Sequence, residues 1–129
     1  MINCELRLNR NKFMFHHLDN IPSKIRNRAE KAARRQAEKS IMYFQHGATI
    51  ISSSGYVIVS ACNTPFGHAE NLVIQKLLLK PPHIISDAKY MVVVRINRSG
   101  KHFLLSKPCQ VCESKIFEYK HLIKAVYHS

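Results

Sequence analysis

The most constraining feature of the sequence is an uninterrupted apolar run, Met-Val-Val-Val, at residues 91–94. Such a run is typical of a strand covered on both faces, because a half-exposed strand alternates apolar and polar residues. Residues 72–79 are apolar nearly all round a helix, so we expect that helix to be deeply buried as well. A chain of 129 residues with these two segments predicts one domain built around a covered sheet.

Turn and helix-start signals divide the rest of the chain into elements. Pro22 fits the first turn of a helix, and a Ser-Ser-Ser-Gly turn at residues 52–55 separates two β-rich runs. The pattern predicts helices over 21–40, 69–79 and about 109–119, and strands over 48–51, 56–61, 90–97 and 124–127. This α-β-β-α-β-α-β order predicts an α/β fold in which helices cover a central sheet of about four strands.

Residues 1–20 show no clear periodicity, and we treat them as an N-terminal extension to a domain over residues 21–129. Phe13, Phe15 and Leu18 either pack onto the domain or belong to a mobile arm. The N-terminus lacks the apolar core of a signal peptide, and no apolar run is long enough to span a membrane. We therefore expect a cytoplasmic, reducing compartment without membrane contact, where cysteines near histidines indicate metal binding or catalysis more often than disulfides.

The chain is strongly basic, since 20 Lys and Arg against 8 Asp and Glu give a net charge of +12. Such an excess favours polyanionic partners, such as nucleic acid or nucleotides, although charge also keeps an ordinary protein dispersed. The first helix carries the densest positive charge, over residues 24–39, opposite a narrow stripe of alanines. This face is either a solvated surface with i,i+4 pairs such as Glu30–Arg34 or a surface that contacts nucleic-acid phosphates.

Two short motifs, each just before a predicted helix, contain the ligands that zinc prefers. Cys109 and Cys112 are three residues apart and lie on one side of a first helical turn, so both thiolates can reach one ion at about 2.3 Å. His68 adds an imidazole, provided that it lies at the non-helical end of the second helix. Three protein ligands leave a fourth position for water, which is typical of a catalytic zinc.

Glu70 points to hydrolysis rather than to a structural zinc. A structural site has no need of a neighbouring carboxylate, whereas a hydrolytic site uses one to move a proton from the activated water to the substrate. Glu70 also precedes an apolar helix, where an uncompensated carboxylate would be costly. The pattern therefore predicts one catalytic Zn²⁺ with Glu70 as the acid–base residue.

The combined pattern H-x-E…P-C-x-x-C, at residues 68–70 and 108–112, is the signature of zinc deaminases. Over residues 22–129 the chain resembles the cytidine deaminase-like superfamily in the order of its elements and in the position of each motif. The resemblance implies a three-layer α-β-α fold, zinc held by His68, Cys109 and Cys112, and Glu70 as the proton shuttle. The run Ser-Lys-Pro-Cys that ends at Cys109 is most similar to the deoxycytidylate and nucleic-acid deaminase branches.

The resemblance also implies a reaction and a set of substrate contacts. The reaction is hydrolytic loss of the exocyclic amine from a cytosine (or adenine) base, in a nucleotide such as dCMP or in nucleic acid. Asn63 would bind the sugar, the Ala69 amide would hold the water or the base carbonyl, and Tyr127 matches a position where relatives contact the base. Phe66 either stacks on a base or packs in the core.

The chain departs from the family pattern in two places. Residues 80–89 form an insertion that we expect to be a loop, and the sequence ends at Ser129, after the fourth strand. Relatives continue with a fifth strand and one or two helices. We therefore expect a sheet truncated after the fourth strand, with an exposed edge that a partner chain would cover, as in a homo-oligomer.

A second interpretation uses Cys62 as a fourth ligand. With His68, Cys109 and Cys112 it would close a structural Cys3His zinc site, and the protein would be a non-catalytic nucleic-acid-binding module. On an alternating strand, Cys62 and Asn63 face opposite ways, so only one of them can point at the metal. The remaining histidines show no ligand spacing and are interpreted as surface or core residues.

Overall fold

A computed structural model describes residues 14–100 and 102–129 as three layers, with a sheet between two layers of helices. The helices are α1 (Ser23–Lys39), α2 (Ala69–Leu78), the short α3 (Pro82–Ile85) and α4 (Gln110–Glu118), and a 3-10 turn covers Leu18–Asn20. The strands are β1 (Phe15–His17), β2 (Gln45–Ile51), β3 (Val57–Cys62), β4 (Tyr90–Ile96), β5 (Phe103–Leu104) and β6 (Ala125–His128). The predicted three-layer α-β-α fold is confirmed, but the sheet has six strands rather than four.

β4 lies in the centre of the sheet, whose order is β1-β6-β4-β2-β3, with β5 paired to the end of β4. It runs antiparallel to β2 and parallel to β6, and its residues 91–94 are fully buried. Val92 and Val94 pack under α1, whereas Met91 and Val93 pack under α2 and α4. The uninterrupted apolar run therefore reflects a strand with both faces covered.

The outer edge of β6 is paired with β1, which runs parallel to it with Phe15 opposite Val126. The Val126 amide also donates to the Met14 carbonyl oxygen at 2.8 Å. The prediction that this edge is exposed is therefore wrong, because the N-terminal extension supplies the neighbouring strand. The predicted homo-oligomer stays a prediction. β1 has only three residues, so it was not visible as a periodic pattern.

Side chains from the extension belong to the same core as the rest of the fold. Phe15 packs with the residues under α2 and α4, and Leu18 packs with those under α1. Phe13, the third residue considered from the sequence, lies outside the described residues. The described part of the extension, residues 14–20, is thus integral to the sheet and its helix layers.

Close contact between α1 and the sheet depends on small residues, as the alanine stripe predicts. Ala29, Ala33 and Ala37 are completely buried in the layer under α1. Opposite them, Gly47 of β2 has no room for a side chain, since a Cβ there would collide with the backbone of Ala33 and Ala37. The helix backbone therefore lies directly on β2, and Ser40, which follows α1, comes to lie beside Gln45 at the start of that strand.

The insertion at residues 80–89 is not wholly a loop as predicted, because α3 forms within it. Its proline-rich start explains the difference, since proline is well suited to the first turn of a helix. The Lys89 amide then donates to the Ile51 carbonyl oxygen and returns the chain to the sheet. In the part of the chain that the structure describes, no helix is long and apolar enough to cross a membrane.

Candidate active site

The three predicted zinc ligands come together where α2 and α4 begin. His68 is the extended residue just before α2, Cys109 has the same place before α4, and Cys112 lies in the first turn of α4. The Nδ1 atom of His68 is 3.1 Å from Cys112 Sγ and 3.9 Å from Cys109 Sγ, and all three ligand atoms lie within 4.8 Å of one another. Because α2 and α4 pack on the same face of the sheet, their first turns bring both motifs to one point.

These donors fit one zinc ion. Tetrahedral Zn–N and Zn–S bonds of about 2.0 and 2.3 Å place neighbouring ligand atoms roughly 3.5–3.8 Å apart, close to the separations observed. Among residues 14–100 and 102–129, this is the one group of His, Cys, Asp and Glu side chains that brings three ligand atoms so close. Burial, together with the charge of Glu70, raises the pKa of the Cys112 thiol, so its thiolate form needs a cation beside it.

Glu70 lies in the first turn of α2, and only 5% of its surface is exposed. Burial raises the pKa of its carboxyl, and this effect is opposed by a backbone hydrogen bond, by His68 and by a hydrogen bond with Cys112. A carboxyl with a raised pKa can accept and return a proton near neutral pH. The structure therefore places a buried carboxyl directly beside the zinc donors.

A cavity of about 380 Å³ adjoins this cluster. Its lining includes His68, Ala69, Glu70 and Cys109, together with Met42, Phe44, His46, Asn63, Ser106 and Lys107. The volume falls in the lower part of the range of roughly 300–1,000 Å³ that is usual for small-molecule sites. The site is thus a concave pocket with metal donors and a buried carboxyl in its wall.

Asn63, predicted to contact the sugar, lines this cavity and also holds its wall in place. Its Oδ1 accepts hydrogen bonds from Ser40 Oγ at 2.6 Å and from the His46 amide at 3.0 Å, and its Nδ2 donates to the Phe44 carbonyl oxygen at 2.6 Å. These bonds tie the end of β3 to the segment between α1 and β2. Asn63 therefore fixes one side of the pocket whatever it contacts in a substrate.

Comparison with known proteins agrees with this geometry. Residues 21–129 match the family described as the cytidine and deoxycytidylate deaminase zinc-binding region. The chain belongs to this family. It is also similar to a solved structure, a cytidine deaminase from Burkholderia pseudomallei, with 21% sequence identity, a TM-score of 0.48, and coverage of 67% of this chain and 69% of that chain. No curated protein sequence matches the chain significantly.

Two residues that were predicted to contact substrate lie elsewhere in this deaminase-family chain. Phe66 is 94% exposed in the loop before α2 and is not part of the cavity lining. Tyr127 is buried under α1, with its ring 5.7 Å from that of Tyr90. Since Val126 faces α2 and α4, strand alternation turns Tyr127 to the opposite face. The structure therefore brings neither ring to the pocket.

Cys62 lies outside the zinc-donor cluster. It is paired across the sheet with Gly47, and paired residues of neighbouring strands point to the same face. Gly47 faces α1, so Cys62 faces α1 as well, on the side of the sheet opposite to His68 and Cys112. The closed Cys3His site of the second interpretation is not formed by the described residues.

His46 is a pocket residue that the sequence did not reveal. It precedes Ala48 by two positions on β2, and both face the α2 and α4 layer. Burial lowers the pKa of His46 to about 4, with further effects from the charges of Arg95 and His68. The predicted strand began at residue 48, three residues late, and this is why the alternation that points His46 into the site was missed.

The basic face of α1 is partly engaged within the protein. Arg26 binds Asp19 at 3.0 Å and Glu30 at 2.7 Å. Arg34 instead donates to the Gly100 carbonyl oxygen at 2.9 Å, so the predicted Glu30–Arg34 pair is wrong. Glu30 binds Arg26, one turn earlier in the helix, and the same guanidinium also donates to Asp19.

Proposed function

We propose that the protein is a zinc-dependent hydrolytic deaminase that acts on the exocyclic amine of a cytosine (or adenine) base, in a nucleotide such as dCMP or in nucleic acid. The proposal is carried by Glu70, a buried carboxyl with a raised pKa that lines the same cavity as two of the zinc donors. Family membership supports the reaction class. The net charge of +12 favours a substrate that bears phosphate.

The chemistry divides between the metal and the chain. Zinc held by His68, Cys109 and Cys112 supplies Lewis-acid activation of a water molecule at neutral pH. Glu70 would accept a proton from that water and donate it to the ring nitrogen, while the water oxygen bonds to the amine-bearing carbon. Glu70 would then take the second proton from that oxygen and pass it to the amine, as the carbon–nitrogen bond breaks. Ammonia leaves, and a ring carbonyl remains in place of the amine.

Other residues of the pocket position the base. The Ala69 amide lies at the start of α2, where a backbone N–H can hold the water or the base carbonyl. Asn63 carries two amide hydrogens, one of which goes to Phe44, and the other is suited to a sugar hydroxyl. The neutral ring of His46 adds an uncharged hydrogen-bonding edge.

Ammonia release tests the proposal directly. Zinc-loaded protein is incubated with dCMP, cytidine, a single-stranded oligodeoxynucleotide and tRNA, and at least one of these is expected to yield ammonia. In Glu70→Gln we expect one zinc per chain and a rate lower by at least about 100-fold, because the proton carrier is removed while the donors stay. Glu118→Gln, the same change at the exposed end of α4, is the matched control and should behave as wild type.

Two results would contradict this function. One is a zinc-loaded wild type that releases no ammonia from any of the four substrates. The other is a Glu70→Gln protein that deaminates as fast as Glu118→Gln with its zinc in place.

A further inference from the structure

The segment between α1 and β2 exposes large side chains at the mouth of the pocket. Ile41, Tyr43 and Phe44 are 87%, 69% and 52% exposed, and the two aromatic rings meet edge to face at 4.9 Å between centroids. Tyr43 and Phe44 also line the cavity that contains Glu70. Exposed aromatic side chains grouped beside a pocket are candidates for ligand contact, because a bound ligand would bury apolar surface that is otherwise left in water.

Each of these two rings is covered on one side by an arginine. The guanidinium of Arg95 lies 4.4 Å from the centroid of Phe44, and that of Arg98 lies 4.4 Å from the centroid of Tyr43. Arg95 reaches this place from the end of β4, where it is paired with His46. We call these four residues, Tyr43, Phe44, Arg95 and Arg98, the aromatic–arginine rim.

The positive charge of the rim is not neutralised within the described residues. The ion pairs that residues 14–100 and 102–129 form involve His17, Asp19, Arg26 and Glu30, all away from the rim. The Nε atom of Arg95 is buried without a hydrogen-bond partner in the same part of the chain. Lys107, which lines the cavity, adds a further cation. The rim therefore combines stacking surfaces with cations that are available to phosphates.

We propose that the aromatic–arginine rim binds a nucleotide adjacent to the target base, so that the substrate is a single-stranded polynucleotide rather than a free nucleotide. This inference rests on the proposed deaminase function of the neighbouring pocket. A free nucleotide has one base, which the cavity would take, and this leaves the rim without a stacking partner. A strand supplies both a second base for Tyr43 or Phe44 and further phosphates for the arginines. A duplex is less favourable, because its bases are stacked on one another and unstacking them costs free energy.

Oligonucleotide binding tests the rim without turnover. The probe is a fluorescein-labelled nine-nucleotide deoxythymidine strand with one central deoxycytidine, titrated with zinc-loaded Glu70→Gln protein and followed by fluorescence anisotropy. Adding Tyr43→Ala and Phe44→Ala together is expected to raise Kd at least about tenfold, since stacked bases are lost. The control is Tyr56→Ala, an aromatic side chain of similar exposure (56%) in the turn between β2 and β3, which should change Kd less than about twofold. Equal effects of the two changes would overturn the proposal.

The salt dependence of the same titration identifies the phosphate contacts. Arg98→Ala is expected to reduce the slope of log Kd against log salt by about one, whereas Arg28→Ala, on the exposed face of α1, should leave it unchanged. If only Arg28→Ala lowers the slope, the strand runs over α1 and the rim proposal is wrong. Thermal unfolding of all variants checks that each remains folded.

Turnover separates this inference from the proposed function. With Glu70 intact, wild type should deaminate the nine-nucleotide strand with kcat/KM at least about tenfold above that for dCMP. Equal or faster turnover of dCMP would overturn the rim inference and leave the deaminase function standing. If neither is turned over, and cytidine and tRNA also release no ammonia, the function is overturned, while the anisotropy titrations still decide whether the rim binds a strand.

Discussion

On the α1 face of the sheet, alanines of the helix lie against a glycine of β2, so the two backbones are in close contact. On the α2 and α4 face, the packing is apolar at its centre and polar at one end. The α1 layer contains Ala29, Ala33 and Ala37, all completely buried, against Gly47. The layer under α2 and α4 is equally apolar at its centre. At the first turns of its helices, however, it holds a buried carboxyl and a buried thiol.

The difference shows how one small sheet serves two purposes. Apolar burial and close packing stabilise the fold on both faces. A buried carboxyl and thiol destabilise it unless a cation or hydrogen bonds compensate them, so they indicate a site rather than a core. Substitutions in the apolar layers should therefore alter stability, and substitutions at the polar end should alter zinc binding or pH dependence.

The largest loss of stability is expected for Phe15→Ala, because β1 contributes this ring to the layer under α2 and α4. Phe15 is 6% exposed, and truncation of a buried phenylalanine costs about 3–5 kcal/mol. Phe66→Ala removes the same side chain at a 94% exposed position and should change stability by less than about 0.5 kcal/mol. Urea unfolding measures both, and equal values would show that β1 does not belong to the core.

A smaller loss, about 1–3 kcal/mol, is expected for Gly47→Ala, because the new methyl group would push α1 away from β2. Gly67→Ala is the control, since its Cβ would meet Leu72 at an ordinary 3.4 Å. Urea unfolding again gives the comparison. If Gly47→Ala were no more destabilising than Gly67→Ala, the backbone contact that distinguishes the α1 face would be absent.

The smallest effect is a pH dependence that belongs to the site face. The pKa of His46 is about 4 in the folded protein and about 6.5 when unfolded, so the unfolded chain binds more protons between these values. The contribution of His46 to the free energy of unfolding should be fully present above pH 6.5 and should decrease as the pH falls toward 4. Between pH 7.5 and 5, wild type should lose roughly 1–2 kcal/mol more than His46→Gln. His83→Gln, on the exposed α3, should follow wild type, and a His46→Gln protein with the wild-type pH profile would contradict the assignment.

Local patterns in the sequence predicted the parts of the molecule that depend on local structure. The buried strand β4 and the helices α1, α2 and α4 follow from apolar spacing and turn residues. The zinc donors follow from motif spacing at two helix starts, because a helix N-terminus fixes the positions of its first residues. Strand alternation likewise predicted that only one of Cys62 and Asn63 can face the metal.

Pairing between distant segments could not be predicted in this way. β1 and β5 have three and two residues and exist only through their contacts with β6 and β4. The aromatic–arginine rim joins residues some 50 positions apart, and no periodic signal links them. To predict His46 as a pocket residue, one must know where β2 begins. That first residue is set by the pairing of β2 with β4 rather than by the local sequence.

Zinc content measured together with two cysteine substitutions tests the central claim most directly. Elemental analysis of purified wild type should give about one zinc per chain, Cys112→Ser should lose it, and Cys62→Ser should keep it, because Cys62 lies on the α1 face. A wild type that binds no zinc, or a Cys62→Ser protein that loses zinc as Cys112→Ser does, would contradict the account.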